Sequence, residues 1–324
     1  MQPTGRQEAP ADILAGLHAA RRLEPDAQDQ ALHALSLRPL TGGRNNHVYA
    51  WNSPDGPACI KLYRLDDRRR PEREWHALSL LASHHVRHVP RPLWRDDSTG
   101  NPAIAMTFVA GTPIPSTAHK QAALSGLIET WQQIHATPVQ GPLAGLARID
   151  SAAHYCDRIT GIWARQLTDN PHDPLTGELQ PLLDNWRQSG DQEVLAESQP
   201  PALSRGDANL LNWLHDPYSH ATSCVDFEFS GTSDPAFDIA DLVEHISARI
   251  FSDQTWAAVV AALGKADAAF ARRFHAGQRT CALRWLAVLW KQRHTRMDEF
   301  SAQLDRVKML QTAAKLTRRH LTSC

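Results

Sequence analysis

The chain has 324 residues, enough for one large domain or two modest ones, and its hydrophobic content of 42% suffices for a packed core. A formal net charge of −1 provides no overall attraction to nucleic acid or to an anionic membrane, so neither is predicted as a partner. The five cysteines are odd in number and include no CxxC pair. This disfavours a disulfide scaffold or a zinc site and favours a reduced cytoplasm.

The N-terminal segment predicts disorder followed by a short helix. Residues 1–10 are expected to be disordered, and helical spacing begins at Ile13, Leu17 and Ala20. The opening sequence has acids and prolines where a signal peptide needs an apolar run, and no later stretch approaches the length of a membrane span. We therefore expect a soluble, unanchored, cytoplasmic protein.

The first predicted strand is LSLRPL, residues 35–40, which ends in a glycine-containing loop. Gly42 and Gly43 allow a sharp turn and let backbone N–H groups approach a ligand, as in loops that bind phosphate. Asn45 and Asn46 complete the loop. An ordinary hairpin turn is the alternative, because neither a GxGxxG nor a Walker A pattern is present.

The next predicted strand, ACIKLY, contains a lysine among apolar residues. Alternation places Cys59, Lys61 and Tyr63 on one face and Ile60 and Leu62 on the other. A lysine buried in such a strand needs an anionic partner, whereas a lysine on an edge strand would simply be exposed.

The segment PEREWHALSLLASHH that follows predicts a helix. Trp75, Leu78 and Leu81 form its buried stripe, and Glu74 lies at the edge of that stripe, where its side chain can face inward. Glu74 is therefore the main candidate partner for the lysine, and Glu72 is a weaker one.

A buried strand at residues 103–109 ends at Ala-Gly-Thr-Pro, a break in the pattern that suits a hinge. Helical spacing then runs from Leu124 to His135, and residues 152–167 and 179–186 predict further helices. The second part of the chain is thus expected to be mainly helical.

The stretch from Leu203 to Phe229 carries the strongest chemical signal. Asp207 precedes Asn212 by five residues, the run LLNWL predicts a short buried strand, and a second apolar run leads into Asp226. Turn residues between the runs predict a hairpin that brings Asn212 and Asp226 together. Two such oxygen ligands suit Mg²⁺. The alternative is that these side chains only cap a turn or a strand end.

This ordered set resembles the aminoglycoside phosphotransferase and choline kinase superfamily. The Asp, the Asn five residues later, the strand and Asp-Phe-Glu follow the family's order, and Asp234-Pro235 with Asp238-Ile239-Ala240 resembles the pattern that comes next. One difference is that most relatives have His-Gly-Asp where this chain has Arg205 before Gly206 and Asp207.

The resemblance implies an α+β, protein-kinase-like fold with two lobes. The expected nucleotide-binding lobe, residues 1–108, has a small antiparallel sheet, and the larger, mainly helical lobe is residues 109–324. The implied activity is transfer of the γ-phosphoryl group of ATP or GTP, with Mg²⁺, to a hydroxyl of a small molecule.

The resemblance also implies roles for individual residues. Asp207 would be the catalytic residue, and Asn212 and Asp226 would bind Mg²⁺. Lys61 would contact the nucleotide phosphates and pair with Glu74. The adenine would lie against the segment that includes Met106 and Phe108, where backbone groups would hold it.

The acceptor is predicted to be cationic, because acidic residues far outnumber basic ones from Ser204 to His245. Glu228 and Asp234 are candidate acceptor contacts. Trp285 and Trp290 are either core residues of a helix or part of an aromatic cage for a quaternary ammonium group. The sequence DFEF also favours a choline or ethanolamine kinase, and Arg205 leaves open a nucleotide-binding pseudokinase that acts as a sensor.

Overall fold

The computed structural model describes residues 11–40, 46–97, 100–264 and 267–322. The chain forms two compact units, one of Met1–Leu146 with Asn212–Gly231 and the other of Ala147–Leu211 with Thr232–Cys324. This division places residues 109–146 in the first unit and so differs from the predicted boundary after Phe108. The assignment of nucleotide and acceptor lobes therefore stays a prediction.

The first unit contains a five-stranded antiparallel sheet with the strand order β1-β2-β3-β5-β4. Strand β3 is central, because it pairs with β2 on one side and with β5 on the other, and it contains Lys61. The strands are β1 (Leu37–Leu40), β2 (His47–Ser53), β3 (Gly56–Leu62), β4 (Pro92–Asp96) and β5 (Ala103–Thr107).

The α-helices of the first unit, among the residues that the structure describes, are α1 (Ala11–Ala20), α2 (Pro25–Ala34), α3 (Arg70–Ser83) and α4 (Lys120–Ala136). The apolar sides of α1 and α2 join one face of the sheet in a core that includes Leu17, Leu32 and Ile60. Side chains buried to this extent each contribute about 1.5–3 kcal/mol of transfer free energy.

A second sheet in this unit carries the predicted hairpin. It consists of β6 (Thr112–Pro113), β8 (Trp213–His215) and β9 (Thr222–Cys224), and β8 pairs antiparallel with β9. Helix α4 lies against β9 at Gly126, where an added Cβ would come within 2.6 Å of the Thr222 hydroxyl. The close approach lets Thr130 donate to the Thr222 carbonyl at 2.7 Å, which fixes the hairpin to the helix.

The predicted strand LLNWL is only partly correct. Leu210–Asn212 form a turn of 3₁₀-helix, and the strand begins at Trp213. The reason is that side chains accept these backbone N–H groups: the Leu211 N–H donates to the Asn209 side chain at 3.0 Å, and the Leu210 N–H donates to the Ser247 hydroxyl at 2.9 Å. Amides used in this way favour a coiled over an extended backbone.

The second unit is mainly helical. One core cluster of this unit includes Trp163, Trp186, Leu283 and Phe300, all almost fully buried. A π-helical turn, Arg158–Trp163, links α5 to α6. The elements are α5 (Ala152–Asp157), α6 (Ala164–Thr168), α7 (Thr176–Arg187), α8 (Asp191–Ala196), β7 (Ala202–Ser204), β10 (Gly231–Ser233), α9 (Pro235–Glu244), α10 (Asp253–Leu263), α11 (Ala268–Trp290) and α12 (Met297–Thr322).

The prediction of a small antiparallel sheet followed by a mainly helical chain is confirmed. Within the described ranges, no helix combines the length and the apolar character that crossing a membrane requires.

Candidate active site

The ammonium group of Lys61 is the centre of the charged cluster in the first unit. Only 7% of the side chain is exposed, and Nζ lies 2.7 Å from a Glu74 oxygen, 2.5 Å from an Asp226 oxygen and 3.0 Å from a Glu228 oxygen. Burial lowers the pKa of this lysine, but Asp226 and Glu74 outweigh that effect and raise it well above its ordinary value. Lys61 is therefore positively charged at neutral pH.

Glu74, on α3, holds the lysine and two further groups in place. Its Oε2 accepts hydrogen bonds from Lys61 and, at 2.5 Å, from the Tyr63 hydroxyl, and its Oε1 accepts the Phe227 backbone N–H at 3.0 Å. Three donors on one buried carboxylate define its orientation. Glu72, the weaker candidate, instead contacts Arg69 on the surface.

Asp226 has a backbone conformation that few side chains adopt. Its φ angle is +68°, in the left-handed region, where Asp is better tolerated than most residues. The segment is held on both sides, because Val225 donates to the Asn212 carbonyl at 2.9 Å and Phe227 is tied to Glu74. The hairpin thus places Asn212 and Asp226 at the same end, as predicted from the turn residues.

Glu228 is buried within the same cluster. It is 3% exposed, it contacts Arg70 at 3.3 Å in addition to Lys61, and it accepts a hydrogen bond from the Asn46 side chain. Two cations and an amide contact the Glu228 carboxylate in this structure, and its contact with the acceptor stays a prediction. Sequence reasoning missed Arg70 because the charged run that contains it is equally typical of a solvated helix face.

Asp226 is the carboxylate of this cluster that is accessible to a hard divalent cation, because those of Glu74 and Glu228 are buried and already contact other side chains. Carboxylate oxygens of Glu74, Asp226 and Glu228 lie within 4.8 Å of one another. Oxygen-only donor sets of this kind suit Mg²⁺, which binds proteins through one or two carboxylates and retains waters for substrate phosphates. Asp226 is the most accessible of the three, with 35% of its side chain exposed. The role of Asn212 and Asp226 as metal ligands stays a prediction.

The predicted catalytic residue lies in a tightly hydrogen-bonded loop of the second unit. Asp207 Oδ1 accepts the Asn209 backbone N–H at 2.9 Å, and the Gly206 N–H donates to the Ser204 hydroxyl at 3.0 Å. Gly206 has a φ angle of +82°, a conformation that favours glycine. Asp207 therefore projects from a defined turn, with 29% of its side chain exposed.

Arg205, two residues before Asp207, supports the same turn. Its guanidinium lies 3.6 Å from the Asp207 carboxylate and 3.4 Å from the Asn209 carbonyl, and 6% of its side chain is exposed. A buried cation beside Asp207 thus links the two ends of the turn. An ion pair therefore supports the loop.

His245, just after α9, is a second support for the loop. Its Nδ1 accepts the Ser247 backbone N–H at 3.1 Å and lies 2.7 Å from the Ser247 hydroxyl, which in turn accepts the Leu210 N–H. Because Nδ1 accepts a backbone N–H, the neutral imidazole carries its proton on Nε2. Burial lowers the pKa of His245 to about 4, although the nearby Asp207 carboxylate acts in the opposite direction.

The lowered pKa of His245 leads us to expect that the protein loses stability as the pH falls. The unfolded-state pKa lies near 6.5 and the folded-state pKa near 4, so the unfolded chain binds the extra proton first as pH falls. The contribution of His245 is fully present above pH 6.5 and declines towards pH 4, by about 3 kcal/mol in all. Urea denaturation across this pH range measures it.

The matched variant for this prediction is His245→Asn, whose amide oxygen can still accept the Ser247 N–H. The free energy difference between wild type and variant should narrow as the pH falls from 6.5 to 4. The raised pKa of Asp241, about 6, changes stability in the opposite direction, but both proteins share it and it cancels in the difference. If the difference in unfolding free energy between wild type and His245→Asn did not change with pH, protonation of His245 would not be the cause of the loss of stability.

The remaining predicted nucleotide contacts are placed as follows. Gly42, Gly43 and Asn45 lie outside the described residues. Met106 is buried on β5, and the backbone N–H of Phe108 donates to the Pro57 carbonyl of β3 at 3.0 Å. The amide of Phe108 is thus used within the sheet, and the contact of this segment with adenine stays a prediction.

Two of the predicted acceptor contacts are occupied elsewhere. Trp290 is 2% exposed in the core of the second unit, beneath the Arg293 guanidinium, so it cannot form an aromatic cage in this structure. Asp234 caps α9 by accepting the Ala236 N–H and pairs with Arg273 at 2.8 Å. Of the two sequence-based interpretations of Trp290, the structure shows the core residue, and helix capping and an ion pair use the Asp234 side chain, whose contact with the acceptor stays a prediction.

For Trp285, the contact with the acceptor stays a prediction. Trp285 is partly buried, and its ring packs edge to face against the His245 ring with centroids 4.5 Å apart. His245 interacts electrostatically with Asp207, so Trp285 lies in the same group of side chains.

The fold and these side chains define a class. A five-stranded antiparallel sheet with a buried Lys-Glu pair, in a chain whose remainder is mainly helical, is characteristic of the kinase-like phosphotransferases. A model of the phosphotransferase enzyme family matches residues 36–278, well over half of the chain. The chain belongs to this family, whose members are kinases that act on hydroxyl groups of small molecules.

Solved structures share the fold at low sequence identity. A thermostable mutant of aminoglycoside phosphotransferase APH(4)-Ia, in a ternary complex with ADP and hygromycin B, is 13% identical with a TM-score of 0.62 over 88% of this chain and 97% of that one. Spectinomycin phosphotransferase APH(9)-Ia, in complex with ADP and spectinomycin, is 14% identical with a TM-score of 0.59 over 89% and 98%.

A third structure, aminoglycoside phosphotransferase APH(3'')-Id from Streptomyces rimosus, is 20% identical with a TM-score of 0.50 over 76% of this chain and 93% of that one. At these identities the likeness shows the fold. No curated protein sequence matches the chain.

Proposed function

We propose that this phosphotransferase uses ATP or GTP with Mg²⁺ to phosphorylate a hydroxyl group of a small molecule. The observation that carries the proposal is the buried ammonium of Lys61, held at 2.7 Å by Glu74 and at 2.5 Å by Asp226. A fixed cation and an accessible carboxylate are what a nucleotide triphosphate with its magnesium requires.

In this proposal Lys61 binds the phosphates and Asp226, with Asn212, binds the magnesium ion. When bound, the metal supplies positive charge that offsets the charge developing on the transferred phosphoryl group. Asp207 orients the acceptor hydroxyl and accepts its proton. The hydrogen bonds that fix the loop from Ser204 to Asn209 support this assignment, since they hold the carboxylate of Asp207 in one orientation.

The proposal also concerns the chemical class of the acceptor molecule. The acidic excess that favours a cationic acceptor is largely neutralised within the described residues. Asp226 and Glu228 contact Lys61, Asp238 and Asp241 contact Arg148, Asp234 pairs with Arg273, and Glu244 contacts Arg249 and Arg306. The charge balance alone therefore does not select a cation. An aminoglycoside-like acceptor is proposed instead on the ligands named for APH(4)-Ia and APH(9)-Ia.

The test is a transfer assay on the purified protein. ATP and GTP are supplied with Mg²⁺ and a panel of kanamycin, spectinomycin, choline, ethanolamine, a macrolide and a neutral sugar, and the phosphorylated product is identified by mass spectrometry. Transfer to an aminoglycoside supports the proposed acceptor, and transfer to choline or ethanolamine selects that subfamily. Nucleotide binding without turnover on the panel would instead support a pseudokinase.

A further inference from the structure

Arg148 is a buried arginine of the second unit that contacts the loop of residues 204–209, which contains the proposed catalytic residue Asp207. Only 3% of its side chain is exposed. One guanidinium nitrogen donates to Asp238 at 2.7 Å, and the other donates to the Gly206 carbonyl at 3.0 Å and to the Asp241 carboxylate. The guanidinium thus joins one backbone carbonyl to two carboxylates.

The two carboxylates belong to α9, which is firmly packed. Asp241 also accepts a hydrogen bond from the Tyr155 hydroxyl at 3.0 Å. Helix α11 approaches α9 so closely at Gly277 that an added Cβ would come within 3.0 Å of Ala240. Every residue of α9 from Ala236 to Glu244 is buried. The helix is therefore a rigid support for whatever Arg148 holds.

The backbone of Arg148 is fixed as well. Its N–H donates to the Thr232 carbonyl at 3.0 Å, and its guanidinium lies over the Phe237 ring at 5.4 Å from the centroid. Burial lowers the pKa of Arg148, but Asp241 and Asp238 outweigh burial and raise it. The side chain is thus a permanent, immobile cation.

The Gly206 carbonyl and the Asp207 nitrogen belong to the same peptide plane. Because that plane is rigid, holding the carbonyl oxygen also sets the position of the Asp207 Cα. The Asn209 N–H, which donates to Asp207 Oδ1 at 2.9 Å, then orients the carboxylate. Gly206 has a positive φ angle, and a glycine at this position has many alternative conformations unless it is held.

We propose that Arg148 is a positioning residue for phosphoryl transfer: it fixes the Gly206–Asp207 peptide to α9 and thereby positions the Cα from which the Asp207 carboxylate projects. The proposal rests on the proposed role of Asp207. It needs the forked guanidinium, because one planar group must reach a carbonyl and two carboxylates at once, which a lysine ammonium on a flexible stem cannot do with the same geometry.

The decisive variant is Arg148→Lys, which keeps the positive charge beside Asp238 and Asp241 and loses the fork. We expect kcat to fall about 10²-fold, the effect of a displacement near 1 Å at a reacting group. Nucleotide affinity should change less than about twofold, since Arg148 is not proposed to contact the nucleotide. A second variant, Arg148→Gln with Asp241→Asn, removes one buried charge of each sign. Its kcat and nucleotide affinity should change as in Arg148→Lys.

The matched control is Arg279→Lys, which likewise keeps the charge and loses the fork. Arg279 also holds a buried carboxylate of the second unit, Asp191, through two hydrogen bonds of 2.8 and 2.6 Å. Its loss should lower the melting temperature and leave kcat unchanged. A merely structural role for Arg148 would make Arg148→Lys resemble this control, with lower stability and normal kcat, and that result would overturn the proposal.

A readout without turnover separates this proposal from the proposed function. In Arg148→Lys, hydrogen exchange of the amides from Gly206 to Asn209 should accelerate about tenfold or more, with exchange in α9 unchanged. Unchanged protection of the loop would overturn the positioning role even if the enzyme is active. Absence of transfer by the wild type would count against the proposed function, while the exchange result would still decide whether Arg148 orders the loop.

Discussion

Asp207→Asn is expected to lower the rate of phosphoryl transfer by about 10²–10⁴-fold, the usual contribution of a general base. The amide keeps an oxygen that can accept the Asn209 N–H, so the turn should survive. It cannot accept a proton from the acceptor hydroxyl. Initial rates at saturating nucleotide, with an acceptor identified from the panel, measure the change.

Nucleotide affinity provides the internal control for this variant, since Asp207 is proposed to contact the acceptor and not the nucleotide. Calorimetry should give a Kd within about twofold of the wild-type value. A matched control is Asp253→Asn, because Asp253 pairs with Arg306 on an exposed part of the second unit, and its turnover should be normal. Wild-type turnover by Asp207→Asn would remove this residue from the mechanism.

Asp226→Asn should weaken magnesium-dependent nucleotide binding by about 30-fold or more, which corresponds to the 2 kcal/mol lower bound for removing one partner of a charge pair. The amide oxygen can still accept the hydrogen bond from Lys61, so the cluster should stay folded. The lost charge is the part of the site that magnesium needs. Calorimetric titration with nucleotide, with and without Mg²⁺, measures the effect.

The comparison without magnesium makes this test specific. Binding of metal-free nucleotide should not weaken, because the change removes a negative charge near the proposed phosphate site. Asp66→Asn is the matched control, since Asp66 pairs with Arg70 at the edge of the cluster and does not contact Lys61 in the described residues. Wild-type affinity for Mg-nucleotide in Asp226→Asn would show that the hairpin does not hold the metal.

Much of the fold follows from local patterns. Alternation in ACIKLY correctly indicated a strand with a buried lysine, and the helical spacing after it placed Glu74 where α3 presents it to Lys61. Turn residues between Asn212 and Asp226 predicted the hairpin. These features depend on neighbours in the chain, and periodicity reports them directly.

Periodicity does not report which polar groups meet across long sequence separations. Charge and residue type make Glu228 and Trp290 candidate acceptor contacts. In the structure Glu228 pairs with Arg70, and Trp290 lies in the core. Arg148 lies in a proline- and glycine-rich segment that reads as a connection, and its partners are about 90 residues further along the chain. Contacts of this kind depend on tertiary packing.

The resemblance of the sequence to a known family indicated the fold class. The sequence by itself also determined the strand that contains Lys61, the helix that contains Glu74 and the hairpin between Asn212 and Asp226. Local backbone preferences and the burial period decide these features. The tertiary structure decided which carboxylates are neutralised and that Leu210–Asn212 coil before the strand. It also decided that Arg148 donates to the Gly206 carbonyl and that His245 contacts Ser247, which accepts the Leu210 N–H. Charges buried at low dielectric must find partners wherever the packed chain supplies them, and only the folded structure brings those partners together.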